Sequence, residues 1–193
     1  MATQADLPVR SFPSQAKWAT WLEKNHEASP GIWLKIAKKG SGFKSVSYDE
    51  ALDVALCYGW IDGQKGRFDD DFWVQRFTPR TSRSKWSKIN CTKATALIGS
   101  GQMKPAGLKE VQRAKADGRW DAAYDSQRTA TVPPDLQQEL DSNEEARRFF
   151  DGLSSVNRYA ILYRIQDAKR PETRRRRIER YVQMLSEGKT LHP

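Results

Sequence analysis

Apolar positions recur along the first third of the chain in short runs whose period keeps changing. Trp18, Trp21 and Leu22 fall at i, i+3 and i+4 behind Ser14, a good N-cap, with Phe12 placed to staple the entry. A helix is therefore predicted over residues 14–25. After Ser29-Pro30-Gly31, the run 32–37 (Ile-Trp-Leu-Lys-Ile-Ala) reads as a strand, with 38–42 as its turn. Ser47 and Glu50 have the spacing of a capping box and open an apolar helix through Ala51 to Cys57, which Gly59 ends. Two aromatic-rich strands follow, 60–67 and 72–77, around a Gly- and Asp-rich turn region. With the earlier strand they predict a small antiparallel sheet.

Downstream the period becomes helical. Residues 79–84 form a basic loop ending in Ser84, the expected N-cap of a helix to about Ile98 that Gly99-Ser100-Gly101 stops. Another helix runs from Pro105 to Ala116, ahead of Gly118. Residues 121–134 are a polar loop, and all seven Trp lie at or before Trp120. That shift places a boundary between a Trp-rich α+β N-terminal domain, 1–125, and a basic helical C-terminal module, 126–193. Four helices are expected there, over about 135–141, 144–150, 155–168 and 171–186. The third is apolar nearly all round (Val156, Tyr159, Ile161, Leu162, Tyr163, Ile165), which predicts burial between neighbours. The fold class is α+β, mostly helical.

Composition narrows the setting. Hydrophobic residues are only 38% of the 193, yet seven Trp, six Tyr and seven Phe supply enough large apolar bodies for a core. No apolar run reaches the length of a membrane span. Residues 1–10 lack an apolar stretch and contain Asp6, so no secretory signal is read and a cytoplasmic location is expected. Cys57 and Cys91 are then free thiols. His26 and His192 lie far from each other and from both cysteines, so neither a metal site nor a cofactor is expected.

Net charge is +9, and its distribution says more than its size. Residues 72–109 contain no Asp or Glu but eight basic side chains, and 164–180 contain eight basic residues against three acids. Two positive blocks on a mildly acidic body point to an anionic ligand or macromolecule, a nucleic acid or an envelope component among the choices.

Longer motifs carry a family resemblance. The stretch 51–64, Arg76-Phe77-Thr78-Pro79-Arg80, Trp86-Ser87-Lys88-Ile89-Asn90 and the C-terminal Ala168-Lys169-Arg170-Pro171-Glu172-Thr173-Arg174-Arg175-Arg176-Arg177-Ile178 resemble the YdeI/OmpD-associated (OmdA-like) proteins of bacteria. The resemblance implies a role in stress and in protection against bacteriocins or antimicrobial peptides. It implies no reaction and no cofactor.

Candidate residues follow from chemistry. Arg76, Arg80 and Lys88 are anion contacts, Trp60 and Trp86 stacking walls, and Asp62 and Gln64 polar selectors, because guanidinium forks bind phosphate or carboxylate and indole faces stack. The alternative places Phe77 and Trp86 in the core and pairs Arg76 or Arg80 with the Asp69-Asp70-Asp71 run. In the last helix, Ile178, Tyr181, Val182 and Leu185 mark the buried face; Arg174 and Arg177 flank it, Arg174 as a structural ion-pair residue. Arg175, Arg176 and Arg180 are left for a partner, and Glu172 is placed to pair with Arg176. Gly40 to Ser45 lacks the spacing of a phosphate loop. Cys57, near a helix C-terminus without a nearby His, reads as core. The leading function is protection by binding an anionic partner, without a reaction. The rivals are a nucleic-acid binder and an enzyme with a pocket around Tyr58, Trp60 and Asp62.

Overall fold

In the computed structural model, which describes residues 7–193, the chain runs β1 (Val9–Ser11), α1 (Gln15–Asn25), β2 (Ile32–Ala37), α2 (Tyr48–Cys57), β3 (Trp60–Arg67), β4 (Phe72–Pro79), α3 (Lys88–Gly99), α4 (Pro105–Ala116), α5 (Pro134–Asp141), α6 (Glu144–Asp151), α7 (Ser155–Gln166) and α8 (Pro171–Ser186). Asp6, used above against an export signal, lies outside the described residues. Among the described residues no helix is long and apolar enough to cross a membrane. The α+β class holds. The described chain forms two compact units, one of residues up to Trp86 with Asn90–Ala123, the other of Ser87–Ile89 with Tyr124–Pro193.

In the first unit, local signals decide most elements. The Ser14 side chain accepts from the Lys17 amide and starts α1. At α2 both halves of the capping box form: the Glu50 amide donates to Ser47 Oγ, and the Ser47 amide donates to Glu50 Oε2 at 2.9 Å. Strand order is β1-β2-β4-β3. The three long strands pair antiparallel as predicted, and β1 adds itself parallel to β2, so the sheet is mixed. Nothing in the sequence marks β1, which is three residues long and exposed throughout. Ile32, Leu34 and Ile36 alternate into the core while Trp33 and Lys35 face the other way, opposite Arg76 and Val74. A bulge between Asp62 and Lys65 breaks the β3–β4 register. There the buried Gln75 amide donates to the carbonyls of Gly63 (2.8 Å) and Gln64 (3.2 Å), replacing the ladder bonds lost.

Ser84 does not cap a helix. Its Oγ accepts from the Thr81 amide at 2.9 Å and closes a turn, and α3 starts only at Lys88. The carbonyls that would open an earlier helix are engaged elsewhere: Arg119 donates to Ser84 O (2.8 Å) and Arg80 to Lys85 O (3.1 Å). Tertiary bonds override the local N-cap preference.

In the second unit α5 to α8 enclose Leu136, Leu140, Phe150, Ile161, Ile165, Ile178, Val182 and Leu185. Helix α7 is less enclosed than its composition implies. Val156 is 57% exposed, and Tyr159 and Tyr163 are half-buried. Both tyrosines turn to the segment before α5 instead: Tyr159 Oη donates to Asp125 O (2.8 Å), and Tyr163 meets Tyr124 edge-on at 5.1 Å. Asn157, on the buried side, donates to His192 O (3.1 Å) and accepts from His192 N (2.9 Å), tying down the C-terminal residues.

Candidate functional site

The N-terminal candidates do not converge on one surface. Trp60 and Trp86 are 1% and 2% exposed, so neither offers a ring face to a ligand. Trp60 Nε1 donates to His26 O (3.1 Å), and its ring meets Trp18 and Trp21 edge-on. Trp86 lies under the Arg80 guanidinium, 3.6 Å from ring centroid to Cζ, and beside Trp120 at 4.9 Å. Arg80 is itself buried, and its guanidinium stands on the indole face and donates to a backbone carbonyl. Trp60 and Trp86 thus pack inside the unit and not as open stacking walls, and Arg80 is buried beside Trp86.

Asp62 accepts from Tyr48 Oη at 2.8 Å. Gln64 stands exposed on the bulge. Lys88 belongs to the second unit and pairs with Asp125 at 2.7 Å. Arg76 sits on the sheet face turned away from the core, with its Nε buried and bonded to no described residue. Its guanidinium covers Gly63, where a Cβ would come within 2.9 Å of Nε. Neither Arg76 nor Arg80 pairs with the acidic turn. Lys35 approaches Asp69 (3.5 Å), Lys38 Nζ donates to the carbonyls of Asp69 and Asp70, and Arg67 pairs with Asp70 (3.0 Å). The lysines lie beside that turn in the sheet, whereas the arginines leave the strand at its far end.

The first unit does contain a cavity, of about 710 Å³, where α1 and α2 end and α4 begins. Tyr58 and Trp60 line it, and Asp62 does not. His26, passed over in the sequence because it has no metal-ligand partner, lines it as well. Its Nδ1 lies 2.9 Å from Leu22 O; a carbonyl only accepts, so Nδ1 carries a proton and Nε2 is the nitrogen left to face the cavity. Burial pushes the Cys57 thiol up to about 11, which removes the thiolate a nucleophile needs. Among the described residues no group of three or more His, Cys, Asp or Glu side chains is placed to hold a metal ion.

Helix α8 sorts its arginines by depth. Arg174 forms a two-pronged pair with Asp135 (Nε 2.5 Å, Nη2 2.8 Å) and donates to Ile165 O at 3.1 Å. Arg177 donates to Arg164 O and approaches Asp167. Arg170, Arg175, Arg176 and Arg180 are exposed. Arg170, Arg175 and Arg176 rim a polar hollow of about 720 Å³ together with Glu172, Thr173 and Glu179. Arg175 pairs with Glu179 (3.8 Å), and no ion pair joins Glu172 to Arg176.

Hydrogen bonds from Arg174 hold the Asp135 carboxyl below the usual carboxylate range. Stability from a depressed carboxyl is present above the unfolded pKa and is lost as pH falls through the folded one. Arg174→Met is therefore expected to cost about 1–2 kcal/mol near neutral pH, a charged hydrogen-bond value discounted for the partial exposure of the pair. In urea unfolding of both proteins the gap should narrow once pH falls below the ordinary Asp value. A gap constant with pH would refute the pairing.

Two family models match the chain. One, described as Domain of unknown function (DUF8412), matches residues 10–110, more than half of the 193. The other, described as Bacteriocin-protection, YdeI or OmpD-Associated, matches residues 129–188. The motifs at 51–64, 76–80 and 86–90 fall in the first match, and 168–178 in the second, so the C-terminal module carries the resemblance drawn from the sequence. No curated protein and no solved structure matches.

Proposed function

Since the chain belongs to the family described as Domain of unknown function (DUF8412) and carries a bacteriocin-protection, YdeI or OmpD-associated module, we propose that it protects bacteria against bacteriocins or antimicrobial peptides by binding an anionic partner through α8. The observation that carries this reading is the division of labour among the arginines of α8. Arg174 and Arg177 are consumed by packing, while Arg170, Arg175, Arg176 and Arg180 stand in solvent on the first three turns of the helix. Exposed guanidinium groups at helical spacing suit phosphate-bearing surfaces, which they contact through paired N–H donors. The partner favoured here is the anionic inner face of the membrane, met from the cytoplasm; a nucleic acid is the rival.

Near an anionic lipid surface each basic side chain contributes about 1 kcal/mol, so losing three should weaken binding by about two orders of magnitude. The triple variant Arg175→Ala/Arg176→Ala/Arg180→Ala, which touches none of the buried face, is compared with wild type on phosphatidylserine vesicles, neutral vesicles and duplex DNA. Loss on anionic vesicles alone supports the membrane reading. A loss confined to DNA, with a steep salt dependence, transfers the function to nucleic acid. Equal binding by both proteins overturns the role of α8. In cells lacking the gene, survival under a cationic antimicrobial peptide should be restored by wild type and not by the triple variant.

A further inference from the structure

The cavity of the first unit has walls of opposite charge. Glu23 and Glu27 line it just at and after the end of α1, and Lys104 and Lys109 from the start of α4, where Glu110 is already paired with Arg113; the buried Arg80 also borders it. Glu23, Lys104 and Lys109 form no ion pair with any described residue, although all three border one space. Glu27 lies 3.8 Å from His26 Nε2, the ring nitrogen not engaged by Leu22 O.

Between the two walls lies Tyr58. It is 7% exposed, and its ring packs on His26 at 5.3 Å. Its hydroxyl forms no hydrogen bond to a described residue, and Tyr58 also lines an adjoining cavity of about 580 Å³ that shares Glu23 and Lys104. The hydroxyl itself is not sealed inside the protein. Here the open side of the ring gives onto the two cavities. The wall is rigid at that point, because Trp60 Nε1 is bonded to the His26 carbonyl and α4 is bonded to the end of α2 through Lys104 N and Cys57 O (3.2 Å).

Volumes of this order suit small organic ligands rather than single ions. A ligand of one sign would meet a repelling wall, and a neutral one would leave both walls unused. We propose that this cavity binds a small zwitterion of free amino acid to dipeptide size, its ammonium against Glu23 and Glu27, its carboxylate against Lys104 and Lys109, and Tyr58 Oη and His26 Nε2 as further hydrogen-bonding contacts. The site belongs to the unit that matches no named activity and is independent of the role assigned to α8.

The full chain, labelled with ¹⁵N, is titrated with each of the common L-amino acids and a set of dipeptides, and every binder is retested as its N-acetyl and its C-terminal amide form. At least one zwitterion should saturate shifts of the amides around Tyr58 and Gly59, and each blocked form should bind at least tenfold more weakly. Glu23→Gln should remove the penalty against the N-acetyl form and leave that against the amide. Lys104→Gln should do the reverse, and Tyr58→Phe should weaken both. The two charged residues are exposed, so these variants are expected to melt like wild type. Absence of binding at millimolar concentration across the set, or equal binding by blocked and free forms, overturns the proposal.

Discussion

Trp18→Ala is expected to lower the stability of the N-terminal unit by about 3–5 kcal/mol, the cost of emptying a large aromatic site in a packed core. Trp18 is fully buried and stands where α1, α2 and the sheet meet. Its ring stacks on Trp21 at 5.4 Å and touches Phe12 (5.2 Å), Trp60 (6.2 Å) and Phe77 (5.8 Å). Its Nε1 donates to Ala51 O at 3.1 Å, a second bond to a carbonyl inside α2. Trp18→Phe separates the two contributions, since it keeps most aromatic contacts and loses only the indole hydrogen bond. It should cost about 0.5–1.5 kcal/mol, the usual net worth of one hydrogen bond. Urea denaturation followed by tryptophan fluorescence reads both. If the alanine variant unfolds at the same urea concentration as wild type, the aromatic cluster is not the centre of this core.

Gly107→Ala is the second large effect, and its sign opposes helix propensity. Gly107 lies in the first turn of α4, where alanine would ordinarily gain up to about 1 kcal/mol. A Cβ there would come within 2.4 Å of Cys57 O, 2.5 Å of Leu56 O and 2.4 Å of Met103 Sδ. The methionine can move, but the two carbonyls end α2 and cannot rotate away. The helices must separate, and the bond from Lys104 N to Cys57 O is lost with them. A net loss of about 2–3 kcal/mol is expected, typical of overpacking against backbone. Gly99→Ala, at the end of α3 with nothing within 4 Å of the new Cβ, serves as the control and should be neutral. Thermal melts of the pair decide the matter: matched melting temperatures would mean that α4 does not pack on the end of α2 as described.

Features written in neighbouring residues were legible in the sequence alone. The Ser14 and Ser47 caps, β2 over 32–37, α4 over 105–116 and α8 over 171–186 all follow from side chains within a few positions of one another. The inward and outward arginines of α8 were legible for the same reason, because a helix converts spacing directly into direction. A one-turn repeat of Ile178, Tyr181, Val182 and Leu185 leaves Arg175, Arg176 and Arg180 nowhere to point but outward. The family resemblance belongs to this class too, as a property of contiguous motifs.

Other features required distant residues to meet. The basic aromatic segment from Arg76 to Lys88 has the composition of a ligand-binding loop, yet Arg80 and Trp86 close on each other and on Trp120 to become interior. Composition cannot separate these outcomes, since a cation over an indole face serves a core and a binding site equally well. Ser84 is a sound N-cap until Arg119 claims its carbonyl, and β1 exists only because β2 offers an edge. The cavity is the clearest case, with acids near residue 25, a tyrosine at 58 and lysines past residue 100. By itself the sequence determined the helices, the long strands and the outward charge of α8, because periodicity and capping act over a few residues. The tertiary structure alone decided which aromatic and charged side chains became core and which charges came to face one another, because burial depends on partners remote along the chain.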